Sequence, residues 1–404
     1  MSASDTTTAP VTTTVTRSFI WLGAIATGVI VTNLFAPQIL VGQIGPALHM
    51  TAAQAGLIST LTLLGYALGL FLLVPLADRI ENKRLILTTL CGTVVAALCT
   101  ALAPTPTLLL VAVFVLGGSC AAIQMLVPLI AAMAPPADRG RVIGEVMGGL
   151  MVGILLSRPL ASFIADLWSW RGYYALSAAS VALLGVALGA RLPSLRPAAE
   201  VGYLHLLGSF WTLWREEPVL RVRAWTAALV MASFTAYWAA AALRLAAAPF
   251  QLDARGIAAF ALVGAAGAVA TPLAGRLGDR GYARPLLIAS HLAIILSCAL
   301  CAAAAMIDSQ VAALALLVIG TVVLDMGVTV DQTLGRRAVN LLRPEARGRL
   351  NGLFVGLFFI GGAIGAAAAA TAWSLGGWSA VCAVAGLFGL LALITDLVTR
   401  TGSS

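Results

Sequence analysis

The chain has 404 residues, 60% of them hydrophobic and only 10% charged, with a formal net charge of +8 and a mean hydropathy of +0.99. Soluble domains carry about 25% charged residues, so this composition cannot furnish a water-facing surface. It excludes a soluble enzyme, a nucleic-acid binder and a disordered scaffold, and it points to a polytopic protein of the lipid bilayer.

Residues 1–17 are rich in Ser and Thr, lack a basic n-region and read as a disordered cytoplasmic N-terminus. The apolar run after Arg17 is too long for a signal peptide and is kept as the first span. A membrane helix takes about 20 apolar residues, which predicts spans at 18–40, 53–75, 84–103, 107–134, 142–165 and 172–190. A polar break at 191–223 follows, then spans at 224–250, 256–275, 284–305, 311–335, 350–373 and 377–398, and a short tail at 399–404. Two bundles of six helices (18–190 and 224–398) are therefore expected, twelve transmembrane helices in an all-α membrane protein.

With both termini placed inside, 20 of the 24 Lys and Arg fall in cytoplasmic segments, while Arg171 and Arg255 fall outside. That asymmetry fits the positive-inside rule. In the linker, Leu204, Leu207, Trp211 and Trp214 recur at helical spacing opposite Arg215, Glu216 and Glu217, the pattern of a short interfacial helix. The six cysteines all lie in apolar runs, which implies no disulfide framework. Cys298 and Cys301 read as small buried residues of one helix.

The halves repeat. Leu76-Ala77-Asp78-Arg79 matches Leu277-Gly278-Asp279-Arg280 at an offset of 201 residues, and Arg139-Gly140-Arg141 matches Arg347-Gly348-Arg349 at 208. At the same offset of 208, Gly153 matches Gly361 and Trp170 matches Trp378. A period of half the chain in one orientation implies two bundles related by an axis along the membrane normal, with the substrate site between them.

These residues resemble the major facilitator superfamily, and most of all its bacterial twelve-helix drug–proton antiporters. That family's loop motif runs Gly-x-Leu-Ala-Asp-Arg-x-Gly-Arg-Lys. Leu76, Ala77, Asp78, Arg79 and Lys83 match it, and Gly275, Leu277, Asp279 and Arg280 match it again in the second half. The resemblance implies alternating access by two rocking bundles, with Asp78, Arg79, Asp279, Arg280, Arg139 and Arg347 as an ionic latch. Two departures weaken the drug-antiporter likeness. The arginine of Arg-x-x-Gln-Gly in helix 4 is replaced at Val113–Gly117, and the Gly-Pro of helix 5 is Arg158-Pro159 here. Gly144, Gly148, Gly149 and Gly153 in span 5, and Gly352, Gly356, Gly361 and Gly365 in span 11, are spaced for close helix contact.

Charges inside the bilayer are costly and tend to mark function. Counted from the cytoplasmic helix ends at about 1.5 Å per residue, Asp325 lies near the midplane, the natural place for a carboxylate that loads and releases a proton. Arg158 lies deeper; it holds an anionic substrate, pairs with a carboxylate across the bundle interface, or snorkels toward Asp166. Arg244 lies near the outer surface, and Asp331 near the inner mouth beside Arg336 and Arg337. Asn33 and Gln124 are uncharged candidates for substrate hydrogen bonds.

No metal site, cofactor motif, nucleophile–base pair or phosphate loop is evident, and the sole lysine is Lys83. The sequence therefore reads as a monomeric secondary transporter of the bacterial inner membrane, not an enzyme. It is expected to export a small organic molecule in exchange for protons. The alternatives are an uncoupled facilitator or importer and, remotely, a membrane-embedded enzyme.

Overall fold

Lipid offers a backbone no hydrogen-bonding partners, so each apolar run must satisfy its own peptide groups, which a helix does. The structure, a computed structural model, describes residues 16–135, 138–194, 202–343 and 346–399. In the first half, α1 (Arg17–Phe35) continues into α2 (Pro37–Ala47). Then come α3 (Ala52–Leu72), α4 (Asn82–Leu102), α5 (Pro106–Ser119), its continuation α6 (Ala122–Ala132), α7 (Arg139–Leu167) and α8 (Trp170–Arg191). After α9 (Tyr203–Glu216), the second half comprises α10 (Pro218–Ala246), α11 (Ala254–Ala261), α12 (Ala270–Leu277), α13 (Ala283–Ala303), α14 (Gln310–Asn340) and α15 (Arg347–Val398). Residues 1–15 and 400–404, which hold most of the expected terminal segments, lie outside the described residues.

Among the described residues, ten helices are long and apolar enough to cross a membrane. Two places account for the difference from the expected twelve. The first is α15, which bends back at Gly376 and Gly377, with Gly377 at φ +59°, a conformation that favours glycine. Its two legs correspond to the spans expected at 350–373 and 377–398. The second is the segment expected at 256–275. It is not one helix but α11, a 3-10 stretch over Leu262–Val269, and α12. Gly264 and Gly267 lie in the break, where low helix propensity weakens the α-helical ladder. The outer surface is apolar, with Leu183, Val186 and Val311 at least 72% exposed, as a lipid-facing girdle requires.

The repeat seen in the sequence is also a repeat of contacts. α1 packs on α7, and α10 packs on the first leg of α15, in both cases backbone to backbone. A side chain at Gly149 or Gly153 would strike the backbone of Ala24 or Gly28; one at Gly361 or Gly365 would strike Ala228 or Ala232. Thr27 and Thr235, 208 residues apart, each hydrogen-bond across their interface, Thr27 to the Val146 carbonyl at 3.3 Å and Thr235 to the Gly362 carbonyl at 2.7 Å. Gly144, Gly148 and Gly352 have nothing within 4 Å of where a side chain would begin, so they do not belong to the packing face. They border open space instead.

This division makes a stability prediction. Gly153→Val has no flexible neighbour to displace and should destabilise by on the order of 3 kcal/mol. Gly148→Val should be tolerated. Thermal unfolding of the two purified variants, followed by fluorescence, should separate them by several degrees; equal midpoints would refute the packing assignment.

The helix α9 lies in the polar break between the halves. Leu206, Phe210 and Leu213 face the protein, while Leu204 and Trp211 are exposed. Phe210 meets Phe71 edge to face at 5.9 Å between centroids, and Tyr203 donates to the Leu72 carbonyl at 2.9 Å. Beyond α14, Arg343 grips the end of α9, reaching Glu217 at 2.6 Å and Glu216 at 3.0 Å. Its hydrogen bond to Glu217 is the largest of the causes that raise the Arg343 pKa above the usual guanidinium value.

A cavity between the two halves

A cavity of about 620 Å³ opens between the halves. Its volume is in the range of small-molecule sites. α7 supplies Met147, Met151 and Arg158 from the first half; α10 and α14 supply Met231, Phe234 and Asp325 from the second. A neighbouring cleft of about 670 Å³, which Gln124 borders, shares Met147, Arg336 and Asn340 with it. Both therefore belong to one opening. That opening lies at the helix ends carrying Arg139, Arg141, Arg336 and Arg337, hereafter the basic face. On the opposite face the halves touch. Gly56 abuts Ala370, and Asp166 of α7 pairs with Arg255 of α11 at 3.4 Å.

Arg158 and Asp325, 167 positions apart in sequence, meet at the inner end of this cavity and share one indole ring. The Arg158 guanidinium stacks over Trp238 at 4.2 Å from the ring centroid, with Phe234 at 5.2 Å and Phe35 at 5.4 Å. Its Nε and Nη2 donate to Gln38 Oε1 at 3.0 and 2.9 Å. Trp238 Nε1 donates to Asp325 Oδ1 at 3.2 Å. The other carboxylate oxygen lies against Gly264, where any side chain would collide with it. Both charged residues are buried, at 4% and 6% exposure. Arg158 thus does not snorkel toward Asp166, whose partner is Arg255.

The other sequence-level candidates are placed differently. Asp331 is not at the inner mouth beside Arg336 and Arg337. Six residues beyond Asp325, at about 100° per residue, it is carried to another face of α14. There it is buried and bonded to His291 Nε2 at 3.0 Å. His291 Nδ1 lies 3.6 Å from Asp396, which is paired with Arg223. Asn33 is also away from the cavity, accepting from Ser177 at 2.8 Å inside the first bundle. Gln124 donates to the Tyr66 hydroxyl at 3.3 Å. Arg244 donates to the Ala248 carbonyl at 2.8 Å just past the end of α10.

Among the latch residues, Asp279 pairs with Arg337 at 2.9 Å, a bond within the second half. Arg139 donates to the Ala134 carbonyl at 3.3 Å, while Arg79 and Arg280 are exposed. The side chains of Asp78 and Arg347 lie outside the described residues. Pro159 sits inside α7 directly after Arg158.

Sequence reading overlooked Gln38 and Trp238, and took Arg336 only as a neighbour of Asp331. For Arg336 a signal existed: Asp325, Thr329, Gln332 and Arg336 are spaced by four, three and four residues, one polar face of α14, and all four border the cavity.

The family model of the Major Facilitator Superfamily matches residues 20–337 and, again, 224–401. The chain belongs to this superfamily. Among similar proteins, the Escherichia coli O157:H7 uncharacterized transporter YgaY is 34% identical over 377 residues, covering 93% of this chain and 94% of its own length. The Streptomyces coelicolor probable transporter SCO4007 is 30% identical over 371 residues, covering 92% and 85%. In fold the chain is similar to the nucleoside transporter NupG, with a TM-score of 0.75 at 15% identity over 94% of this chain and 99% of that one. It is also similar to a bacterial homologue of the human lysosomal transporter Spinster in an inward-facing, occupied conformation, with a TM-score of 0.70 at 15% identity over 95% and 96%. Membership makes the protein an integral membrane transporter of the superfamily, and its two halves the paired bundles of that fold.

Proposed function

We propose that this protein is a proton-linked secondary transporter that moves a small organic solute by alternating access, working as a monomer in the bacterial inner membrane. Both termini and the basic face lie on the cytoplasmic side in this reading, so the conformation described is open inward. The two bundles are residues 18–190 and 224–398, joined by the 191–223 linker. The observation that carries the proposal is that one buried carboxylate and one buried guanidinium from opposite bundles stand on the same indole ring, at the inner end of a cavity walled by both halves. A charge placed there is costly unless it serves a passage, and Asp325 is the group able to take up and release a proton within that passage. The solute occupies the apolar remainder of the cavity.

Spin labels test the carrier. Labels at Arg79→Cys and Arg280→Cys report the opening of the basic face; labels at Arg171→Cys and Arg255→Cys report the opposite face. Each pair should show two distance populations, and the weights should shift in opposite senses when pH changes. A single unchanging distance for both pairs at pH 5.5 and 8 would sink the alternating-access reading. Orientation has its own check. An impermeant thiol reagent added to intact cells should label Arg255→Cys and spare Arg79→Cys, and labelling of the latter would reverse the topology.

A further inference from the structure

We infer that the solute is an organic anion with an apolar body, and that it travels in the same direction as the proton. This deepens the transporter reading and rests on it. The charges facing the cavity are unequal. Arg158, Arg336, Arg337 and Asp325 border it, and Arg337 is already bound to Asp279. Arg336 has no ion pair among the described residues, and its Nε is buried without a hydrogen-bond partner. Arg158 is held by a neutral amide and three aromatic rings rather than by a carboxylate in direct contact. Two arginines without a bonded carboxylate therefore stand along one path, Arg336 about 16 Å nearer the mouth than Asp325 at 1.5 Å per residue. Between them the wall is made of Phe35, Phe234, Phe359, Met147, Met151 and Met231. Such a wall favours a flat or flexible apolar group, and a planar guanidinium at its end favours a carboxylate, sulfonate or phosphate.

The sign of coupling follows from counting charge. With Asp325 ionised, the inner end carries Arg158 and Asp325 and sums to zero, so an arriving anion meets no net positive charge there. With a proton on Asp325 the inner end carries one positive charge, which the anion neutralises. Anion and proton thus load together and leave together, one of each, with no net charge moved. Among the described residues no other charged side chain contests this count. The neighbours from α10 are Trp238 and Tyr237, whose hydroxyl is bonded to Thr321. The break between α11 and α12 presents Gly264 and Gly267. α13 directs its buried His291 at Asp331 and Asp396 instead, and α15 brings Phe358 and Phe359 to the cavity.

Three probes with the same ring system and fixed charge decide the matter: 2-naphthalenesulfonate, naphthalene-2-sulfonamide and (2-naphthylmethyl)trimethylammonium. Calorimetric titration of the purified protein should show the sulfonate binding at least tenfold more tightly than the sulfonamide, with the ammonium weakest. In Arg158→Gln the sulfonate and sulfonamide should bind within about threefold of one another. In proteoliposomes carrying an internal pH dye, an inward sulfonate gradient should acidify the lumen. This probe cannot ferry a proton through lipid by itself. Equal or tighter binding of the neutral or cationic probe, or binding of none, overturns the anion assignment. Lumenal alkalinisation, or sulfonate entry without a pH change, overturns the shared direction. The spin-label distances can still show alternating access in each of those cases, so failure here is distinguishable from failure of the carrier reading.

Discussion

Asp325→Asn should abolish accumulation of solute against its gradient when a pH gradient is the only driving force, the steady-state ratio falling from a ceiling of about tenfold per pH unit to about one. The substitution keeps the size of the side chain and an oxygen that can accept from Trp238 Nε1, so the aromatic wall and the Arg158 stack remain. What it removes is the site at which a proton can be held in the passage. Exchange of labelled for unlabelled solute across the membrane requires no net proton movement and should survive, within about tenfold of the parent rate. Uptake and exchange assays on one proteoliposome preparation give both numbers. If gradient-driven accumulation persists in Asp325→Asn, proton linkage through this carboxylate is refuted, and an uncoupled facilitator takes its place.

The second large effect concerns stability. Arg223, His291, Asp331 and Asp396 come from α10, α13, α14 and α15, and each is at most 5% exposed. Asp396→Leu leaves the Arg223 guanidinium buried without its partner and removes one of the two carboxylates flanking His291. Breaking a buried ion pair from one side costs about 3–5 kcal/mol. The single variant should therefore be recovered from membranes in poor yield, or unfold at a much lower temperature. The double variant Arg223→Met/Asp396→Leu exchanges the pair for apolar volume and should recover most of the loss. Equal instability of single and double variants would show that the pair is not the dominant contact, and a stable single variant would remove the cluster from the account of the fold.

Much of the fold was legible in the sequence because lipid restricts the options. Runs of apolar residues must be helices, and the recurrence of the Asp-Arg loop motif at Asp78 and Asp279 fixes the halves. The midplane depth of Asp325 was legible for the same reason, since distance along a helix is simple counting. Partnership was not. Gln38 and Arg158 lie 120 residues apart, and Trp238 looks like any other bilayer aromatic until α10 is packed beside α7 and α14. Arg223 closes the polar break at 191–223 and was counted there among the 20 cytoplasmic basic residues; only packing shows it turned inward to Asp396. The glycines of α7 divide by face, and spacing alone does not say which face packs: Gly149 and Gly153 meet α1, while Gly144 and Gly148, five residues earlier and so turned about 140° around the helix, border the opening. The interrupted eighth segment was missed because hydropathy registers length and apolarity but not the continuity of the hydrogen-bond ladder.

That interruption makes the second segment of each half unequal in stiffness. In the first half, α3 is a continuous helix that transmits force along its length like a strut. Its counterpart is jointed between α11 and α12, and the joint rests on the side chain of Asp325 through Gly264 and Gly267. A rocking motion that α3 would follow as a rigid lever could be absorbed in its counterpart by a local change of curvature at the joint. The compliant element and the carboxylate proposed to carry the proton thus occupy one place, and any bulk added at Gly264 would stiffen the joint against Asp325.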